Sequence, residues 1–158
     1  ATKKMLLIAG PLIKSDFGYY DEYIRPYLDD QILYLGMLEK EQLVKYYQRA
    51  AALLVPIQWE EPFGLTMVEA NACGTPVIAL KRGSVPEIIK DSYNGFVATS
   101  TAEMILAVKQ LPTISRKNCH DYVAKNFTID SMCKNYEKVL QKLVGESKQK
   151  ISKAKSTE

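Results

Sequence analysis

Glu61 and Glu69, with seven residues between them, are the side chains best placed to do chemistry in this chain, in the stretch 59–76 reading WEEPFGLTMVEANACGTP. The Pro-Phe-Gly-Leu segment between them has the composition of a loop. Leu65, Val68 and Ala72 then fall at i, i+3 and i+7, as on one face of a helix. Gly74 ends that helix, and Thr75-Pro76 leads into an apolar run, VIAL. The expected order is strand (ALLVP), loop, helix, strand, with Glu61 in the loop and Glu69 about one and a half turns into the helix. A helix start offers free N–H groups and roughly half a positive charge, which suits a phosphate. A carboxylate one turn further in can accept hydrogen bonds from a sugar diol, and one on the preceding loop can do so on the phosphate's far side. These residues therefore point to a nucleotide joined to a sugar.

The string E-P-F-G-L-x-x-x-E followed by A-C-G-T-P-V-I-A resembles the E-x7-E signature of retaining glycosyltransferases with the GT-B fold, the family that includes glycogen synthases and bacterial mannosyltransferases. The downstream GSVPEII and NGF segments strengthen the match. It runs from about Met5 to about Val144 and corresponds to the donor-binding half of such an enzyme. The resemblance implies that Glu69 binds the ribose hydroxyls and that Glu61, the catalytic-site carboxylate, faces hydroxyls of the transferred sugar. Phe63 and the amides near Gly64, Leu65 and Thr66 would border the diphosphate, and backbone around Met37 and Leu38 would border the base. Arg82 is a weak further candidate, with Lys81 and Lys14 behind it. The implied donor is a UDP-, GDP- or ADP-sugar, with no metal and no other cofactor.

Retaining transfer passes through an oxocarbenium-like transition state while negative charge builds on the departing diphosphate. Positive potential must meet that oxygen. A helix end contributes only ~0.3–2 kcal/mol, so cationic side chains should carry much of the load. Here the sequence departs from the family. A strand ending in Gly-Arg and a Lys-Gly turn, whose Arg and Lys grip the diphosphate, normally precedes the strand that matches MLLIA. That strand and the acceptor-binding domain are not in these 158 residues. A donor-binding fragment with little turnover of its own is the expectation. The acceptor, whether polysaccharide, glycolipid or small molecule, is left open. The alternative in another class is a non-catalytic nucleotide-binding or regulatory module on the same scaffold, since fold does not fix function. A sugar epimerase is a third option, for which this motif is not a mark.

A chain of 158 residues with 47% apolar and 25% charged residues is an ordinary globular protein of one domain by length. Its net charge of +3 owes much to Lys148, Lys150, Lys153 and Lys155 near the C-terminus. Residues 146–158 read as a flexible, solvated basic tail, with peripheral contact to an anionic membrane as the functional alternative. Nucleic acid is not an expected partner. No apolar run reaches the length of a membrane span and no signal peptide opens the chain. Cys73, Cys119 and Cys133 lack metal-ligand spacing and fit reduced thiols in the cytoplasm, where the enzyme would work, at the membrane face or away from it. His120, the single histidine, reads as a surface residue.

Strand and helix patterns alternate, as in a doubly wound, Rossmann-like parallel sheet of about five strands with helices on both faces and a C-terminal helical extension, a domain over 1–145. Strands are expected at 5–9 (MLLIA, buried on both sides), 32–35, 52–55, 77–80 and 96–98. Helices are expected at about 16–25, 39–49 (Leu43, Tyr46 and Tyr47 inward), 65–73, 101–111, 116–126 and 129–144, the last capped by Thr128 and stopped by Gly145. Ser84/Glu87 and Ser100/Glu103 both have capping-box spacing. The ten tyrosines read chiefly as packing. Trp59, in the loop before Glu61, could stack on a ligand or pack on the helix.

The family's sheet order, 3-2-1-4-5-6, makes the lacking strand the central one. Without it, MLLIA and ALLVP would face a gap about 4.8 Å wider than normal spacing. Unpaired backbone groups in an interior cost ~1–3 kcal/mol each. Closure, pairing 5–9 directly with 52–55 in order 2-1-3-4-5, is the expected answer. Strand exchange or a homodimer through the slot is the other.

Overall fold

The computed structural model describes residues 4–155, with side chains through 146. The chain forms two compact units, 1–46 and 47–158.

In the first unit, β1 (Leu6–Ile8) pairs in parallel with β2 (Ile32–Tyr34), Leu7 opposite Leu33. Between them the chain is helical but irregular: a 3-10 turn at Lys14–Asp16, α1 (Phe17–Tyr19), a π turn at Tyr20–Ile24 and a 3-10 turn at Arg25–Tyr27. Gly18 and Pro26 disfavour one regular helix over the expected 16–25. Tyr20 packs on Tyr34 of β2 with ring centroids 5.2 Å apart. Tyr19, Tyr23 and Tyr27 are exposed, unlike the packing residues the tyrosines are expected to be. MLLIA is likewise no doubly buried strand: Leu6 and Leu7 are 38% and 39% exposed.

α2 (Lys40–Arg49) runs across the boundary and buries Tyr47, whereas Tyr46 faces out, against expectation. The second unit holds a parallel sheet in the order β3 (Leu53–Val55), β4 (Val77–Leu80), β5 (Gly95–Ala98). β4, paired on both sides, is buried at every residue. Its alternate side chains enter two layers. Ile78 and Leu80 join Phe96, Met104, Ala107 and Leu111, the last three from α5 (Thr101–Gln110) and the turn after it. Met67 and Ala70 of α3 (Leu65–Ala72) and Val85 and Ile88 of α4 (Val85–Ile88) make up other buried apolar positions. α6 (Arg116–Asn126) falls at its expected bounds.

The expected closure of the sheet does not occur. β1 pairs with β2, β3 pairs with β4, and the two sheets share no strand among the described residues. Leu6, Leu7 and Leu54 are 38–40% exposed, so neither strand is buried on both faces.

α7 (Ile129–Lys155) begins where expected, with Ser131 N donating to Thr128 Oγ1 at 3.1 Å. It does not stop at Gly145. A mid-helix glycine costs about 1 kcal/mol against alanine, and a 27-residue helix of otherwise ordinary helix formers absorbs it. The tail expected to be irregular is helical as far as Lys155; residues 156–158 lie outside the described residues. Among the described residues no helix is long and apolar enough to cross a membrane.

Candidate functional site

Gly64 turns the loop after β3 into α3. Its φ of +82° is left-handed, and a Cβ there would lie 2.2 Å from Met67 Cε and 3.3 Å from Glu61 Cγ, so only glycine fits. It is the N-cap residue, and no side chain caps the helix. The first amides of α3, Leu65 and Thr66, therefore have neither an intrahelical acceptor nor a capping oxygen. Both residues are exposed. Exposed free amides at the positive end of a helix suit an anion such as a phosphate.

The buried face of α3 differs from the one the spacing predicts. Met67, Ala70 and Asn71 are buried, while Leu65 is 65% exposed and Ala72 is also exposed. The helix is rotated so that Thr66 and Glu69 look outward. Asn71 anchors it: its amide donates to Thr75 O at 2.9 Å and Asn94 O at 3.1 Å, and accepts from Asn94 Nδ2 at 2.6 Å. Polar anchoring on the inward face is what an apolar-spacing rule misreads.

Adjacent Glu60 and Glu61 have different tasks. Glu60 accepts from Gly83 N and lies 3.7 Å from Arg82 Nη1, which ties it to the turn after β4. Glu61 accepts from Trp59 Nε1 at 3.1 Å and from Phe63 N at 3.5 Å, so its carboxylate stays on the α3 side of the loop. The same turn supports the loop's backbone. Gly83, at φ +49°, sits so close that a Cβ would lie 2.2 Å from Glu61 O. Ser84 N donates to Glu61 O at 2.8 Å and Ser84 Oγ to Phe63 O at 2.8 Å. The capping box that the Ser84/Glu87 spacing predicts therefore does not form; the Ser84 hydroxyl is used on the loop instead. The Ser100–Glu103 box does form, with Glu103 N to Ser100 Oγ at 3.2 Å and Thr99 N to Glu103 Oε2 at 2.7 Å.

Phe63 is 45% exposed and meets Phe127 edge-on at 6.2 Å, which continues to Tyr122 at 6.0 Å. Glu69 is exposed, and its charge reaches inward. Burial first, then Glu69 and Cys73, push the Tyr47 hydroxyl up to about 12. Burial and then Glu69 also raise the Cys73 thiol, against Arg116. No sequence pattern marks Arg116. Its guanidinium donates to Gln48 O at 2.7 Å, Ala50 O at 2.8 Å and Thr75 Oγ1 at 3.0 Å, closing the end of α2. No sequence spacing signals a partner 66 residues away.

Glu61, Phe63, Gly64, Leu65, Thr66, Glu69 and Arg82 all belong to the second unit. Arg82, held by Glu60, also lines an open cavity of about 470 Å³ with Gln58, Lys81 and Thr99. Met37 and Leu38 belong to the first unit, after β2; Met37 is 75% exposed and Leu38 half-buried. His120 is a surface residue, 3.4 Å from Asp121.

The model of the family "Glycosyl transferases group 1" matches residues 3–127. An uncharacterized 41.2 kDa protein in the cps region of Klebsiella pneumoniae is 28% identical over 70% of this chain and 32% of its own length. The D-inositol 3-phosphate glycosyltransferase of Mycolicibacterium smegmatis is 37% identical over 57% of this chain and 21% of its own. The chain thus spans a third or less of these curated relatives. Among solved structures, Anabaena HepE in complex with UDP and glucose is similar with a TM-score of 0.74 at 21% identity, over 90% of this chain and 41% of that one. The C-terminal domain of the group 1 glycosyl transferase LpcC from Francisella tularensis is similar with a TM-score of 0.65 at 25% identity, over 79% and 70%. A family model that matches residues 3–127 and solved structures that share the fold over most of the chain lead to one conclusion: this chain belongs to the group 1 glycosyl transferases, whose Rossmann-like GT-B domain it shares.

Proposed function

We propose that the start of α3 binds the diphosphate of a nucleotide sugar, and that the chain is the donor-binding domain of a retaining glycosyltransferase. The observation that carries this reading is the uncapped helix start after Gly64, with Leu65 and Thr66 exposed, a held carboxylate, Glu61, on one side and an exposed one, Glu69, on the other. The diphosphate takes the free amides, the ribose diol donates to Glu69, and the transferred sugar's hydroxyls donate to Glu61. Neither glutamate has to move a proton. The role of both is to orient the donor so that charge develops against the helix start.

The helix start supplies only part of the positive potential the leaving diphosphate needs. Arg82 is engaged by Glu60, so it adds little there. We therefore read the isolated chain as binding donor weakly, with Kd about 0.1–1 mM (ΔG near −5 kcal/mol), and turning over little. No metal or other cofactor is called for. HepE is a structural neighbour that holds UDP and glucose, which makes UDP the first probe.

The test is calorimetry and chemical-shift mapping with UDP, GDP, ADP and their hexose conjugates. Shifts centred on 64–66 and 69 are expected for one of the three bases. No response to any of them at millimolar concentration overturns the site.

A further inference from the structure

Trp59 is the chain's single tryptophan, and it is 60% exposed. A tryptophan serving packing alone buries its ring. This one leaves most of the ring in water and aims its only polar group at Glu61 Oε2, 3.1 Å away. The other carboxylate oxygen, Oε1, receives Phe63 N at 3.5 Å. Glu60, one residue along, is occupied by Gly83 N and Arg82. The backbone beneath is fixed by Ser84 N on Glu61 O and Ser84 Oγ on Phe63 O. The side chain of Glu61 thus has one fixed backbone and two neutral donors, of which only Trp59 is a side chain. Neutral donors orient a carboxylate without cancelling its charge, as a lysine or arginine would. Each carboxylate oxygen has about two acceptor sites, so a held oxygen still has one to offer.

We infer that Trp59 is a positioning and specificity residue of the sugar-binding part of the site. Its indole N–H fixes the Glu61 carboxylate, and its exposed ring forms an apolar wall for the C–H face of a hexose. The inference rests on the donor-site reading above and goes further, because it separates the sugar from the nucleotide. Trp59 acts on ligands that carry a hexose and is indifferent to the bare nucleoside diphosphate.

The experiment uses the full 158-residue chain and three ligand pairs: UDP and UDP-glucose, GDP and GDP-mannose, ADP and ADP-glucose. Fluorescence of Trp59 and calorimetry are recorded for wild type, Trp59→Phe and Trp59→Ala. For the pair that binds, the sugar conjugate changes the emission of wild type and the free diphosphate does not. Trp59→Phe keeps a ring but loses the N–H. It weakens the sugar conjugate by about tenfold, the ratio set by ~1.4 kcal/mol of hydrogen bonding to a charged group. Trp59→Ala weakens it further, and both variants bind the free diphosphate within about twofold of wild type. Unchanged thermal melts are expected, since the ring is largely exposed. If wild type binds no member of any pair, the donor site and this inference fall together. If wild type binds both members of a pair and the variants lose nothing, or lose equally for both members, the inference alone is overturned.

Discussion

At the scale of single residues, adjacent Glu60 and Glu61 part because Gly83 N and Arg82 engage Glu60, while Glu61 keeps only the neutral donors Trp59 Nε1 and Phe63 N. The partner that takes Glu60 away, Gly83, comes 23 residues later, beyond any local pattern. The same holds for Ser84, whose capping-box spacing was a false lead because the folded loop offers Phe63 O instead. The two glutamates of the site should separate by measurement. Glu69→Ala is expected to weaken a free nucleoside diphosphate by ~1.5–3 kcal/mol, the scale of hydrogen bonds to a charged group. Glu61→Ala should leave that ligand alone and weaken its sugar conjugate. Calorimetry that finds both variants equal to wild type for both ligands removes the pair from the site. Alkali tests a different set of residues. Burial, with Glu69 and Cys73 adding, takes Tyr47 from 10.0 to about 12, and burial takes Cys119 from 9.0 to about 11. Both groups ionise earlier in the unfolded chain, so their contribution is full below pH 9 and is lost as pH rises. Cys119 accounts for the window of about 9–11 and Tyr47 for about 10–12, each by roughly 2–3 kcal/mol. Urea melts between pH 8 and 12 should show this decline, and Cys119→Ala should flatten its earlier part. A pH-independent midpoint over that range contradicts the assignment.

At the scale of elements, order and type were legible because each rests on local signals. Ser100 and Glu103 mark the start of α5, and Thr128 marks that of α7. Which face of α3 lies inward was not legible, because Leu65 at its first turn is apolar yet exposed and Asn71 is polar yet fully buried. The reason is a pair of side-chain amides that serve as one structural unit. Asn94 donates to Asn71 Oδ1 and to Ile88 O at 3.1 Å, and accepts Lys90 N at 2.8 Å. α3, the chain after α4 and the entry to β5 are thereby joined at one buried point. Asn94→Ala should cost about 2–4 kcal/mol, since it strands Asn71 Oδ1 and Ile88 O without donors. Ser100→Ala removes only an exposed cap and should cost about 0.5–2 kcal/mol. Thermal or urea melts that rank Ser100→Ala as the more damaging would show that the amide pair is not what holds α3. Because α3 carries Glu69 and the open helix start, Asn94→Ala should also weaken any nucleotide that binds there.

At the scale of the whole molecule, two apolar runs that look alike as sequence, MLLIA and VIAL, take different places in the fold. A run of apolar residues marks a strand but says nothing of how many neighbours will cover it. VIAL became β4, with a strand on each side, and Val77, Ile78, Ala79 and Leu80 are 0%, 0%, 0% and 8% exposed. MLLIA became β1, with one partner, and no described residue of the first unit is buried. Pairing continues only as far as covered neighbours do, which is why the expected 2-1-3-4-5 sheet is instead one of two strands and one of three. Local stability follows buried apolar contact, and regions with little of it open at low free energy. The two units should therefore not unfold as one. Native-state hydrogen exchange is expected to protect the amides of 77–80 and 95–98 at least ~100-fold more than those of 6–8 and 32–34, with exchange in β4 approaching the rate set by global unfolding. Limited proteolysis should cut first between residues 10 and 31, where the chain passes through three kinds of helical turn without a buried side chain. Equal protection of β1 and β4 would mean that the first unit draws its stability from the same cooperative core as the second, and that exposure is a poor guide to how this chain comes apart.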